Sequence, residues 1–197
     1  MTEKMPTSNE LPTFTFASQS KWADWLAKQH DRSAGVWLKI AKKDSGIPSV
    51  TIVEALDTAL CYGWIDGQRL PFDEKYYLQK YTPRRPKSIW SKINVEKVER
   101  LIASGQMRPA GLKAIEAAKA DGRWEKAYDG QKTMTVPEDF QAALNKSKKA
   151  KTFFETLNSV NRYAILFRIH NVKKEETRTR KIKQFIEMLE KNEKIYP

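Results

Sequence analysis

Cysteine is almost missing from this chain. Cys61 stands alone, so no intramolecular disulfide can brace the fold. Histidine is nearly as scarce: His30 and His170 are far apart, and with one cysteine they provide no zinc-ligand spacing. Long apolar runs are absent too. Stretches such as 164–167 are far too short to cross a bilayer, which predicts no transmembrane insertion. No GxxxxGK[ST] loop, GxGxxG fingerprint or GxSxG elbow occurs, which removes the phosphate loop, the dinucleotide fold and the hydrolase nucleophile. The opening MTEKMPTSNELPTF carries acids and no apolar core segment, so it does not read as a secretory signal. The expected compartment is the cytoplasm.

What is present suits a globular protein. A chain of 197 residues fits one domain, or one domain with an appended subdomain. It can bury roughly 70% of its unfolded surface without a metal or disulfide staple. Six tryptophans argue against disorder. The formal charge of +12 is uneven: residues 146–197 hold 14 Lys or Arg against 6 Glu, a net of +8. A basic half of this kind suits RNA, DNA, anionic lipid or an acidic protein surface, and it equally suits a lysine-rich solvated face.

Patterning divides the chain into a polar arm (1–12), an α+β domain (13–130) with a hairpin and a basic exit loop, and a helical C-terminal subdomain (137–197). TFTFAS alternates like a short edge strand. Ser18 or Ser20 then caps a helix to about His30 that carries Trp22, Trp25 and Leu26. VWLKIAKK (36–43) reads as a half-buried strand. Ser49 or Thr51 caps a helix with Glu54 in its first turn, and Gly63 ends it. WIDGQRL and KYYLQKYTPR pair as a hairpin over 64–82 around a four- or five-residue loop. Beyond it helices run to the end, at 94–106 with Asn94 as cap, at 108–122, and in a series from Pro137 whose apolar residues recur every three or four positions. The expected fold is therefore α+β: a small antiparallel sheet, made of the hairpin and the 36–43 strand, is packed with helices, and a helical subdomain follows.

Candidate chemistry gathers around the hairpin. Strict alternation puts Trp64, Asp66 and Gln68 on one face and Ile65, Gly67 and Arg69 on the other, with Gly67 marking a bulge or a close approach. Tyr81 lies on the partner strand, and Arg84, Arg85, Lys87 and Trp90 follow in a proline-stiffened exit. Guanidinium groups give paired donors for phosphate or carboxylate, and aromatic faces give stacking area. The leading ligand class is an anionic small molecule or acidic protein surface, bound without catalysis. The alternatives are nucleic-acid binding by the basic C-terminal helices, and an enzyme using Asp66, Glu54 or Asp57 as a base beside the arginines. Asp66 equally suits a salt bridge to Arg69, Arg84 or Arg85. Cys61, at the end of an apolar helix, reads as a buried inert thiol.

CYGWIDGQ, YTPRRPKSIWSKINVEKVERLIASGQM, PAGLKAIEAAKADGRW and the tail FFETLNSVNRY…KKEETRTRKIKQFIEMLEKNEK together resemble the YdeI/OmpD-associated, or bacteriocin-protection, family. The resemblance implies a link to resistance against bacteriocins or cationic peptides, and with it a stress role. It brings no reaction, no cofactor and no catalytic residue. A +12 chain repels cationic peptides, so protection is expected to be indirect.

Overall fold

A computed structural model describes residues 11–197, so the greater part of the polar arm lies outside the described residues. Two compact units divide the chain. The first holds the residues up to Trp90 together with Asn94–Lys126, and the second holds Ser91–Ile93 and Ala127–Pro197.

The first unit is built on a mixed four-stranded sheet of order β1-β2-β4-β3. Its strands are β1 (Thr13–Phe14), β2 (Val36–Ala41), β3 (Trp64–Pro71) and β4 (Tyr76–Pro83). β1 pairs in parallel with β2, whereas β2–β4 and β3–β4 are antiparallel. The hairpin thus takes the longer loop, and the short edge strand is present. Two helices cover one face, α1 (Gln19–Gln29) and α2 (Ile52–Cys61). Ser18 caps α1 by accepting from the Lys21 N–H. Thr51 caps α2 in a capping box, with the Thr51 N–H donating to Glu54 Oε2 at 2.9 Å. Glu54 is therefore occupied at a helix end and is not a free base.

Aromatic residues dominate the core beneath these helices. Trp22 stacks on Trp25 at 5.4 Å, and Trp64 meets both edge-on. Two of the buried indoles are satisfied by backbone: Trp22 Nε1 donates to the Ala55 carbonyl and Trp64 Nε1 to that of His30. Cys61 is buried, and desolvation raises its pKa to about 11, so it stays a protonated thiol.

Two further helices follow, α3 (Lys92–Ala103), which belongs to the first unit from Asn94 on, and α4 (Pro109–Ala120). α3 begins two residues earlier than the predicted cap. Asn94 lies in its first turn and is buried. Pro109 occupies the first position of α4, where its missing N–H costs nothing. α4 approaches the end of α2 very closely. A Cβ on Gly111 would lie 2.3 Å from the Cys61 carbonyl oxygen, and the Arg108 N–H donates to that same oxygen at 3.2 Å. Gly63, at φ +73°, turns the chain from α2 into β3 in a conformation that favours glycine.

The second unit packs α5 (Glu138–Lys146), α6 (Lys148–Thr156), α7 (Ser159–His170) and α8 (Glu175–Glu190). Phe140, Leu144, Phe154, Ile165, Ile169, Phe185 and Leu189 fill its core. Asp139 joins α5 to α8 through Arg178, whose Nε lies 2.5 Å from Asp139 Oδ2. The hydrogen bonds from Arg178 hold the Asp139 carboxyl below the usual carboxylate range. No helix among the described residues is long and apolar enough to cross a membrane.

Candidate anion site

The hairpin does not present one face as strict alternation predicts. The pairing shifts between Asp66 and Arg69, so Asp66 sits opposite Tyr81 and Arg69 opposite Gln79. This bulge around Gly67 returns Arg69 to the face that carries Trp64 and Asp66, because one extra residue reverses the alternation. Gln68 is left exposed on the bulge. Arg69 Nε donates to Gln79 Oε1 at 3.2 Å, its guanidinium lies 4.5 Å over the Tyr77 ring, and Gln79 Nε2 donates to the Gly67 carbonyl.

Asp66 forms no ion pair within 4 Å among the described residues. The residue is exposed at the bulge, yet the bulk of the domain around its carboxyl disfavours the charge and raises its pKa. Arg84, Arg69 and Lys97 oppose that rise. Tyr81 is fully buried, and its hydroxyl has no hydrogen-bond partner among the described residues. Burial, reinforced by Asp66, keeps that phenol protonated. Tyr81 is thus part of the core and offers no stacking surface.

Asp57, also weighed as a base, is committed to an ion-paired network. Its carboxylate lies 2.7 Å from Lys97 Nζ and 3.3 Å from Arg100, joining α2 to α3. Asp57 and Lys97 are mostly buried, with side chains 17% and 19% exposed. Asp57→Ala should therefore cost the first unit about 2 kcal/mol, short of the 3–5 of a fully buried pair because Lys97 can still reach water. Urea denaturation would measure it, and adding Lys97→Met should recover part of the loss.

The concave site lies at the other end of the hairpin. A cleft of about 410 Å³ brings together Trp64, Arg84, Arg85 and Trp90 with His30, Asp31, Lys113 and Arg123. Trp64 starts β3 and Arg84 follows the last residue of β4, so the register that pairs Trp64 with Pro83 places both at one sheet end. The Arg84 N–H donates to the Gly63 carbonyl at 3.0 Å, its Nη1 donates to the Ile89 carbonyl, and its guanidinium lies 3.6 Å over the Trp90 ring. Trp90 thus orients Arg84 through a cation–π contact and does not offer that face to a ligand. Its own indole N–H is buried without a partner among the described residues. Arg85 is exposed, in a turn closed by its N–H on Ser88 Oγ at 3.0 Å. Lys87 is exposed and does not line this cleft.

Arg123 braces the loop by donating to the Ser88 carbonyl at 2.8 Å, and Asp121 holds its Nε with both carboxylate oxygens. Arg85 and Lys113 form no ion pair within 4 Å among the described residues. Lys113, Arg123, His30 and Asp31 escaped the sequence reading, because they come from α4, its exit and the end of α1. The one local signal was the small-residue spacing of Ala110, Ala114 and Ala117, which leaves room beside the arginines.

Two families match the chain. Residues 14–114 match "Domain of unknown function (DUF8412)", and residues 133–192 match "Bacteriocin-protection, YdeI or OmpD-Associated". The chain belongs to the first family, and residues 133–192 of its C-terminal unit are similar to the second. No curated protein and no solved structure matches. The resemblance drawn from the tail falls in the second matched span, whereas CYGWIDGQ and the TPRRPKS block fall in the first. The cleft is lined mainly from that first span, since Trp64, Arg84, Arg85, Trp90 and the alanines of α4 up to Ala114 lie within it. The basic surface of the second unit is partly engaged internally: besides the Arg178–Asp139 pair, Arg178 Nη1 donates to the Ile169 carbonyl at 2.7 Å.

Proposed function

We propose that the first unit binds a small organic anion in the cleft at the hairpin exit, as a non-enzymatic module of a cytoplasmic stress or resistance protein. The observation that carries this reading is the convergence of Arg84, Arg85 and Lys113 on one concave surface with a buried aromatic frame. Guanidinium groups at the mouth of a low-dielectric recess attract and orient phosphate or carboxylate. Arg84 is held against Trp90 with its Nε and Nη2 buried, so it adds positive potential to the recess while the exposed Arg85 and Lys113 offer the donors. Binding rather than catalysis is favoured by the fate of the acids: Glu54 caps a helix, Asp57 is ion-paired, and Asp66 lies outside the cleft. A charge of +12 also favours an anionic partner over direct capture of a cationic bacteriocin.

Trp64 and Trp90 line the cleft, so binding should alter intrinsic fluorescence. Titration with AMP and phenyl phosphate should give saturable changes. In Arg84→Ala/Arg85→Ala the affinity should fall about 100-fold, roughly tenfold for each lost charged partner. Wild-type protein that binds neither probe, or a double variant that binds both unchanged, would refute the reading.

A further inference from the structure

One of the chain's two histidines stands in the anion cleft. His30 closes α1 and lines the cleft together with Trp64, Arg85 and Lys113. Two hydrogen bonds fix it there. The Trp64 indole donates to the His30 carbonyl at 3.0 Å, and His30 Nδ1 lies 2.9 Å from the Leu26 carbonyl oxygen. A carbonyl oxygen only accepts, so Nδ1 carries the proton of the neutral ring and Nε2 is left bare. Nε2 has no hydrogen-bond partner among the described residues and is open to solvent. The other histidine, His170, lies in the second unit with its Nε2 3.0 Å from the Thr135 carbonyl oxygen.

A bare Nε2 presents a lone pair, which repels the oxygen of a phosphate or carboxylate. Protonation reverses this, because the imidazolium donates from Nε2 while Nδ1 keeps its bond to Leu26. Histidine as a residue type makes that change between about pH 5 and pH 8. The Tyr62 ring packs on His30 at 5.3 Å. Around the recesses that His30 lines, α1 and its exit bring Asp24, Asp31 and Arg32. Lys80, Arg84 and Arg85 come from β4 and the loop after it, and Arg108, Lys113 and Arg123 from α4 and its two ends. Neither acid forms an ion pair with the ring within 4 Å among the described residues. No resident carboxylate is therefore paired with a charged His30, whereas an anion in the cleft supplies that negative charge itself.

We infer that His30 is a binding residue for the anion, and that it takes up a proton as the anion binds and donates through Nε2 to an anionic oxygen. This inference rests on the anion-binding reading above and makes that binding proton-linked. The sign follows from the charged form being the one that binds. Affinity is full at low pH and falls as the pH rises through the titration of the bound histidine.

Isothermal titration of the full chain with phenyl phosphate, mostly a dianion above about pH 7, separates the two claims. The affinity of the parent protein should fall about threefold between about pH 7 and about pH 9. Repeating the titration near pH 7 in buffers of different ionisation enthalpy should show uptake of roughly half a proton per anion bound. His30→Asn keeps an amide donor for the Leu26 carbonyl, suits a helix end, and puts nothing where Nε2 was. This variant should bind at every pH with the parent's affinity at the alkaline end, and without proton uptake. A parent protein whose affinity is independent of pH and whose binding takes up no proton would overturn the proton linkage alone. So would a His30→Asn variant that keeps the parent's pH dependence, or one weakened equally at every pH, as a merely structural role predicts. If the parent shows no saturable binding, the anion-binding reading fails and this inference with it.

Discussion

Gly111→Ala should destabilise the first unit by roughly 3 kcal/mol, at the upper end of the range for overpacking. In an isolated helix the same change would stabilise by about 1 kcal/mol, because alanine is the better helix former. Tertiary contact reverses the sign. Gly111 lies within α4, and a Cβ there would stand 2.3 Å from the Cys61 carbonyl oxygen and 2.8 Å from that of Leu60. Both obstacles are backbone atoms at the end of α2, so no rotamer change relieves them. α4 must shift, losing the hydrogen bond from the Arg108 N–H to Cys61 and the wall that α4 gives the cleft. Urea denaturation followed by tryptophan fluorescence measures the effect, and a neutral or stabilising result would show that α4 does not sit this close to α2. The same variant should also weaken anion binding, since Ala110, Ala114 and Lys113 move with the helix.

Phe140→Ala should cost the second unit roughly 3–5 kcal/mol. Phe140 is fully buried and meets Phe154 edge-on, at a ring separation of 5.5 Å and an interplanar angle of 89°. The loss combines the transfer of the ring with the cavity left among Leu144, Ile165 and Leu189, which the four helices can only partly close. Chemical denaturation monitored by far-ultraviolet circular dichroism gives the magnitude. A double-mutant cycle with Phe154→Leu should return a coupling of about 1 kcal/mol, the aromatic pair's share beyond buried area. A cost below about 1 kcal/mol would mean that this ring is not in the core.

The pocket and the core divided the predicted site residues in a way that alternation alone could not foresee. Trp64, Arg84, Arg85 and Trp90 converge on one cleft, Gln68 and Lys87 are exposed elsewhere, and Asp66 and Tyr81 face each other across the sheet. Trp90 was read as a stacking platform, yet its face is taken by Arg84.

Local chemistry was legible wherever neighbouring residues settle the outcome. The capping box at Thr51 and Glu54, the turn at Gly63, Pro109 at the first helical position and the apolar stripes of the C-terminal helices follow from short-range sterics, hydrogen bonding and periodicity. The bulge was signalled by Gly67. What only the tertiary structure decided are the consequences of long-range meetings. These include the face to which the bulge returns Arg69, the partnership of Asp57 with Lys97, and the 2.3 Å clearance that requires glycine at position 111. They also include the arrival of α4 beside the arginine exit, which turns a basic loop into a cleft. The physical reason is the same in each case: spacing along the chain sets which way a side chain points, but packing of distant elements sets what it meets.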